Sequence, residues 1–75
     1  MEKILKEKID VFSSMVQSIT YTPMKKTLLV KFSSGAKYIY LDVDGGTFEG
    51  LRSAVSKGAY LNRNVIRLFS YKRIK

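Results

Sequence analysis

Two tyrosines one residue apart, Tyr38 and Tyr40, are one of two groups in this chain suited to holding a ligand. The other is a basic run interleaved with aromatic and amide groups: Lys57, Tyr60, Asn62, Arg63, Arg67, Tyr71, Lys72 and Arg73. Guanidinium forks pair with phosphate oxygens, and tyrosine rings offer flat faces on which unpaired bases stack. Residues i and i+2 of an extended strand share a face, so Tyr38 and Tyr40 point the same way, with Lys37 close enough to meet a phosphate. That is the chemistry of a single-strand binder. A competing reading puts both rings in the core with Leu28, Val30 and Phe32, since a chain this short needs its aromatics for packing. It makes the arginines a solvated face whose stems cover apolar surface. Both readings stay open at this level.

What the chain lacks narrows the field. Across 75 residues there is no histidine, cysteine or tryptophan, which removes disulfides, a zinc site of the usual ligands, a thiol nucleophile and imidazole acid–base chemistry. Asp42, Asp44 and Glu49 read as caps and solvated charge rather than a magnesium site. Nothing spaces Ser13, Ser14, Ser56 and Lys57 as a nucleophile pair beside an oxyanion hole. Ser56-Lys57-Gly58 lacks the earlier glycine of a phosphate loop and reads as the C-terminal cap of a helix. Neither an enzyme nor a cofactor is expected.

Charge supplies the partner class. Lys and Arg number 14 against 6 Asp and Glu, a formal net charge of +8. The stretch 57–75 holds Lys57, Arg63, Arg67, Lys72, Arg73 and Lys75 and no acid. Segregated charge of this kind draws polyanions, so RNA or single-stranded nucleic acid leads. An acidic protein surface is the alternative, and a small phosphorylated nucleotide the third. No apolar run approaches the ~20 residues that cross a bilayer, and the N-terminus lacks the pattern of a secretory signal. A cytoplasmic protein without membrane contact is expected.

The elements that must position these groups follow from hydrophobic period. Met1, Ile4, Leu5, Ile9 and Phe12 recur at three- and four-residue steps, which predicts an amphipathic helix over residues 1–12. Its stripe of Ile4, Leu5, Ile9 and Phe12 would be the apolar anchor of a protein-docking module. From Gln17 to Leu41 the period is two, predicting three strands joined by Thr22-Pro23-Met24-Lys25-Lys26 and Ser33-Ser34-Gly35, and connections this short make an antiparallel meander. Phe48, Leu51 and Val55 then predict a short helix at about Thr47 to Val55, capped by Asp44 or Thr47. Val65-Ile66-Arg67-Leu68-Phe69 reads equally as a short strand or a helical turn. The predicted fold is α+β: a three-stranded antiparallel meander with an N-terminal amphipathic helix, a second short helix and a basic C-terminal segment. Two free sheet edges and an apolar stripe also leave a homodimer open.

Ile19 with Tyr21, Leu28-Leu29-Val30-Lys31-Phe32-Ser33-Ser34-Gly35, Tyr38-Ile39-Tyr40, Ser56-Lys57-Gly58-Ala59-Tyr60-Leu61-Asn62-Arg63-Asn64, Ile66-Arg67 and Tyr71-Lys72-Arg73-Ile74 follow one another in a familiar order. This succession resembles the KTSC domain, named for its occurrence at the C-terminus of some lysyl-tRNA synthetases and found also as small stand-alone bacterial and phage proteins. The resemblance spans about Ser13 to Ile74, with residues 1–12 as an addition to a 13–75 domain. It implies the family's fold and, through the synthetase link, a connection with RNA. Asp44 stands where the family tends to have proline, and Asn64-Val65 is an extra pair before Ile66-Arg67.

Overall fold

The structure, a computed structural model, describes residues 6–11 and 15–74. The period-two segments form β2 (Val16–Thr22), β3 (Thr27–Phe32) and β4 (Lys37–Tyr40), each antiparallel to the next. Pro23 opens the first turn, where Lys25 N–H donates to the Thr22 carbonyl at 3.2 Å and Lys26 takes φ 53°. The second turn needs Gly35, whose φ of 97° suits a residue without a Cβ.

Two further strands make the sheet five-stranded rather than three-stranded, in the order β1-β2-β3-β4-β5. β1 (Glu7–Asp10) pairs with β2, and β5 (Tyr71–Ile74) pairs with β4. The helix expected over residues 1–12 is therefore replaced, at residues 7–10, by a strand of the same sheet. Residues 1–5 and 12–14, with Ile4, Leu5 and Phe12, lie outside the described residues. Helical spacing lost here because a four-residue segment gains more from the open edge of β2 than from an isolated turn of helix. The basic C-terminal segment is likewise an edge strand, and charged side chains are well tolerated at an edge.

One face of the sheet is covered by α1 (Gly45–Ser53) and α2 (Lys57–Leu61), which lie between β4 and β5 in the chain. Ile19, Tyr21, Leu28, Val30 and Tyr40 from the strands meet Val43, Phe48, Leu51, Leu61 and Val65 in one buried cluster. Val16 joins it although it is out of phase with Ile19 and Tyr21, because a bulge between Val16 and Ser18 shifts the strand by one residue.

Asp44 caps α1, accepting the Thr47 N–H at 3.1 Å and the Thr47 hydroxyl at 2.6 Å. Those bonds, the hydroxyl first, hold its carboxyl below the ordinary aspartate range. Ser56-Lys57-Gly58 does not end this helix: α1 stops at Ser53, and Ser56 caps α2 by accepting the Ala59 N–H at 3.3 Å. Gly58 thus lies inside a helix with no left-handed backbone. A π-helical turn over Asn62–Ile66 continues α2 and buries Val65, so the ambiguous segment begins as helix, not strand. No helix among the described residues is long and apolar enough to cross a membrane.

Candidate functional site

Sheet register sorts the nominated residues between two faces. Tyr40 lies opposite Tyr71 and Tyr38 opposite Arg73, so all four share the helix-covered face. Lys37, opposite Ile74, and Lys72, opposite Ile39, point the other way. The single patch expected from the sequence is thus divided by the thickness of the sheet at β5. On the uncovered face Lys37 also stands directly opposite Lys31, a like-charged pair.

The covering helices reach Tyr40, which is 3% exposed, and stop short of Tyr71, which is 55% exposed. Between them the rings form a graded cluster at the sheet edge. Tyr38 meets Phe32 edge-on at 5.5 Å between centroids, Tyr40 at 6.4 Å and Tyr71 at 5.2 Å, and the Arg73 guanidinium lies 5.9 Å from its centroid. Tyr38 is therefore hemmed in, and Tyr71 carries the free ring face. Burial, then the neighbouring Tyr38 and Tyr71 hydroxyls, raise the Tyr40 pKa above the usual tyrosine value. Beside these rings runs an open groove of about 650 Å³, lined also by Met15, Phe32, Ser33, Ser34 and Ile66. Sequence reasoning missed this wall. Ser33 and Ser34 read only as turn residues, and no period announces that the hairpin tip and the π-helical turn meet at one groove.

Glu7, Asp10 and Glu49 are occupied elsewhere. Arg52 bridges Glu7 of β1 at 2.6 Å and Glu49 of α1 at 2.8 Å, and Asp10 lies 4.0 Å from Lys8. Among the described residues Arg63, Arg67, Lys72 and Arg73 form no ion pair, and all four are exposed. Arg73, lying over the Tyr38 ring, thus adjoins the aromatic groove with no ion-pair partner among the described residues, an arrangement able to hold planar rings and anionic groups together.

Other nominated residues have structural work. Tyr60 packs its ring against Gly50 and donates its hydroxyl to the Thr47 carbonyl at 3.1 Å, fastening α2 to α1 rather than presenting a face for stacking. The Lys57 amine donates to the Ala54 carbonyl at 3.2 Å. Asn62 is exposed at the end of α2. Ile9 lies opposite Ile19 and packs against the core, which removes it from an exposed docking stripe.

Comparison with known proteins agrees with this architecture. The KTSC domain matches residues 12–69. A protein of Tsukamurella paurometabola is 35% identical over 52 residues, covering 69% of this chain and 78% of that protein. The crystal structure of a KTSC domain protein from Yersinia pestis superimposes with a TM-score of 0.86 at 30% identity, covering 93% of this chain and 99% of that one. Matched over most of its length in sequence and over nearly all of it in fold, this chain belongs to the KTSC domain family.

Proposed function

We propose that the protein is a non-catalytic binding module for RNA or single-stranded nucleic acid. The observation that carries this reading is the aromatic groove at β5, where the Tyr71 ring is exposed, Arg73 lies over the neighbouring Tyr38 ring, and no described acid pairs with Arg73. Unpaired bases stack on tyrosine whatever their identity, while Arg63, Arg67 and Arg73 meet phosphates; Lys72, on the other face of β5, is left to a more distant part of the bound strand. A duplex keeps its base faces stacked and out of reach of a side groove, so single strands are the favoured form. The acidic-protein alternative draws on the same basic charge; of its apolar anchor, Ile9 lies in a strand against the core, and Ile4, Leu5 and Phe12 lie outside the described residues.

The test is the salt dependence of binding to a short single-stranded RNA. Each phosphate neutralised on a single strand contributes about 0.7 to the slope of log K against log salt. Arg67→Ala is expected to lower that slope by about this amount. An unchanged slope would remove Arg67 from the interface, and a slope near zero for the parent protein would remove the phosphate contacts altogether.

A further inference from the structure

The tip of the β3–β4 hairpin is shared by two hollows of different character. One is the aromatic groove; the other is lined by Ser34, Gly35, Ala36, Arg73 and Ile74. Ser34 and Ala36 line both, so a compartment walled by tyrosines and one lined by the Arg73 side chain share the hairpin tip as a common wall. Arg73 faces Tyr38 across the β4–β5 ladder and lies over its ring, which orders the guanidinium before any ligand arrives. It forms no ion pair among the described residues. The Ser34 hydroxyl accepts the Ala36 N–H at 3.4 Å and keeps its own hydrogen to donate.

We propose that this double hollow seats a single nucleotide unit, with the base in the groove against Tyr71 and its phosphate at Arg73 beside Ser34. The inference rests on the nucleic-acid reading above and deepens it by naming the recognition unit. The groove, about 650 Å³, is of the size of known small-molecule sites, roughly 300–1,000 Å³. An aliphatic ligand would leave the guanidinium unmatched, and inorganic phosphate would leave the rings unused; a base carrying a phosphate uses both.

The experiment titrates the protein with a nucleoside 5′-monophosphate, the parent nucleoside and inorganic phosphate, followed by amide chemical shifts. The monophosphate is expected to shift Ser34, Gly35, Tyr38, Tyr71 and Arg73, and to bind at least about tenfold more tightly than either fragment. Arg73→Gln should bring its affinity down to that of the nucleoside, whose own binding stays unchanged, and Tyr71→Ala should weaken both. Equal affinity for nucleoside and monophosphate, or shifts confined to other surfaces, would overturn the proposal. A single-stranded oligonucleotide and its abasic counterpart separate this failure from that of the wider reading. Equal binding of the two would reject the base site while leaving phosphate binding in place, and binding of neither would reject both.

Discussion

Tyr21 shows how one hydroxyl ties the sheet to the chain that leaves it. Its ring stacks on Phe48 with centroids 4.6 Å apart, and its hydroxyl donates to the Val43 carbonyl at 2.7 Å, pinning the buried Val43. Tyr21→Phe leaves that carbonyl unpaired, and a loss of about 1–3 kcal/mol in urea unfolding is expected. Burial first, then the nearby Asp44 charge, raise the Tyr21 pKa, and burial also raises that of Tyr40. The folded state therefore holds these protons more tightly than the unfolded one. This contribution to stability is complete below pH ~10 and is lost as pH rises through the elevated values. Alkaline unfolding that starts later in Tyr21→Phe than in the parent, at matched stability, is the expected outcome; an unchanged midpoint would contradict it.

Gly50 makes the same kind of argument in steric terms. A Cβ there would stand 2.2 Å from the Tyr60 hydroxyl oxygen and 2.7 Å from its ring. Alanine in a helix gains roughly 0.5–1 kcal/mol over glycine, whereas displacing a packed, hydrogen-bonded ring costs about 1–3 kcal/mol. Gly50→Ala should therefore destabilise the parent protein but stabilise a Tyr60→Ala background. Thermal unfolding of the four proteins of this cycle decides it, and the same sign in both backgrounds would mean that Tyr60 is not the obstacle.

At the scale of elements, legibility followed the hydrophobic pattern. Ile19 with Tyr21, Leu28 with Val30, and Tyr38 with Tyr40 alternate cleanly, so the central meander could be read from the sequence, as could α1 from Phe48 and Leu51, whereas Val55, counted with them, lies beyond its end at Ser53 and is exposed. β1 and β5 could not, for a common reason. Glu7-Lys8-Ile9-Asp10 and Tyr71-Lys72-Arg73-Ile74 carry little apolar signal of their own and are strands because a neighbouring edge offers them a ladder. The division of Lys37 and Lys72 from Tyr38 and Arg73 was equally hidden, since it depends on the pairing of β5. The groove wall at Ser33, Ser34 and Ile66 joins segments remote in sequence, and only the folded chain brings them together.

β1 is fastened to the helical layer through the bridge from Arg52 to Glu7. Exposed pairs of this kind are screened by salt. Arg52→Ala is expected to speed amide exchange in β1 while β2, β3 and β4 keep their protection, with the difference shrinking as salt is raised. Uniform loss of protection across the sheet would instead make Arg52 a determinant of the whole fold.

Over the whole molecule, packing and charge are kept apart. Among the described residues Asp44 caps α1, Glu7 and Glu49 bind Arg52 and Asp10 lies near Lys8, while the cations of the π-helical turn and β5 form no ion pair. A formal charge of +8 on 75 residues works against the compact state through self-repulsion and favours association with polyanions. The central claim is that rings and cations act together, which separates specific single-strand binding from attraction to any polyanion. The most direct measurement is binding of the purified protein to short single-stranded RNA, with duplex RNA and DNA as controls, across a salt series that starts near physiological ionic strength. The account predicts single-strand-selective binding that persists there and falls at least about tenfold in Tyr71→Ala, which leaves the charge untouched. Binding only at low salt, equal for every polyanion and indifferent to Tyr71, would contradict it.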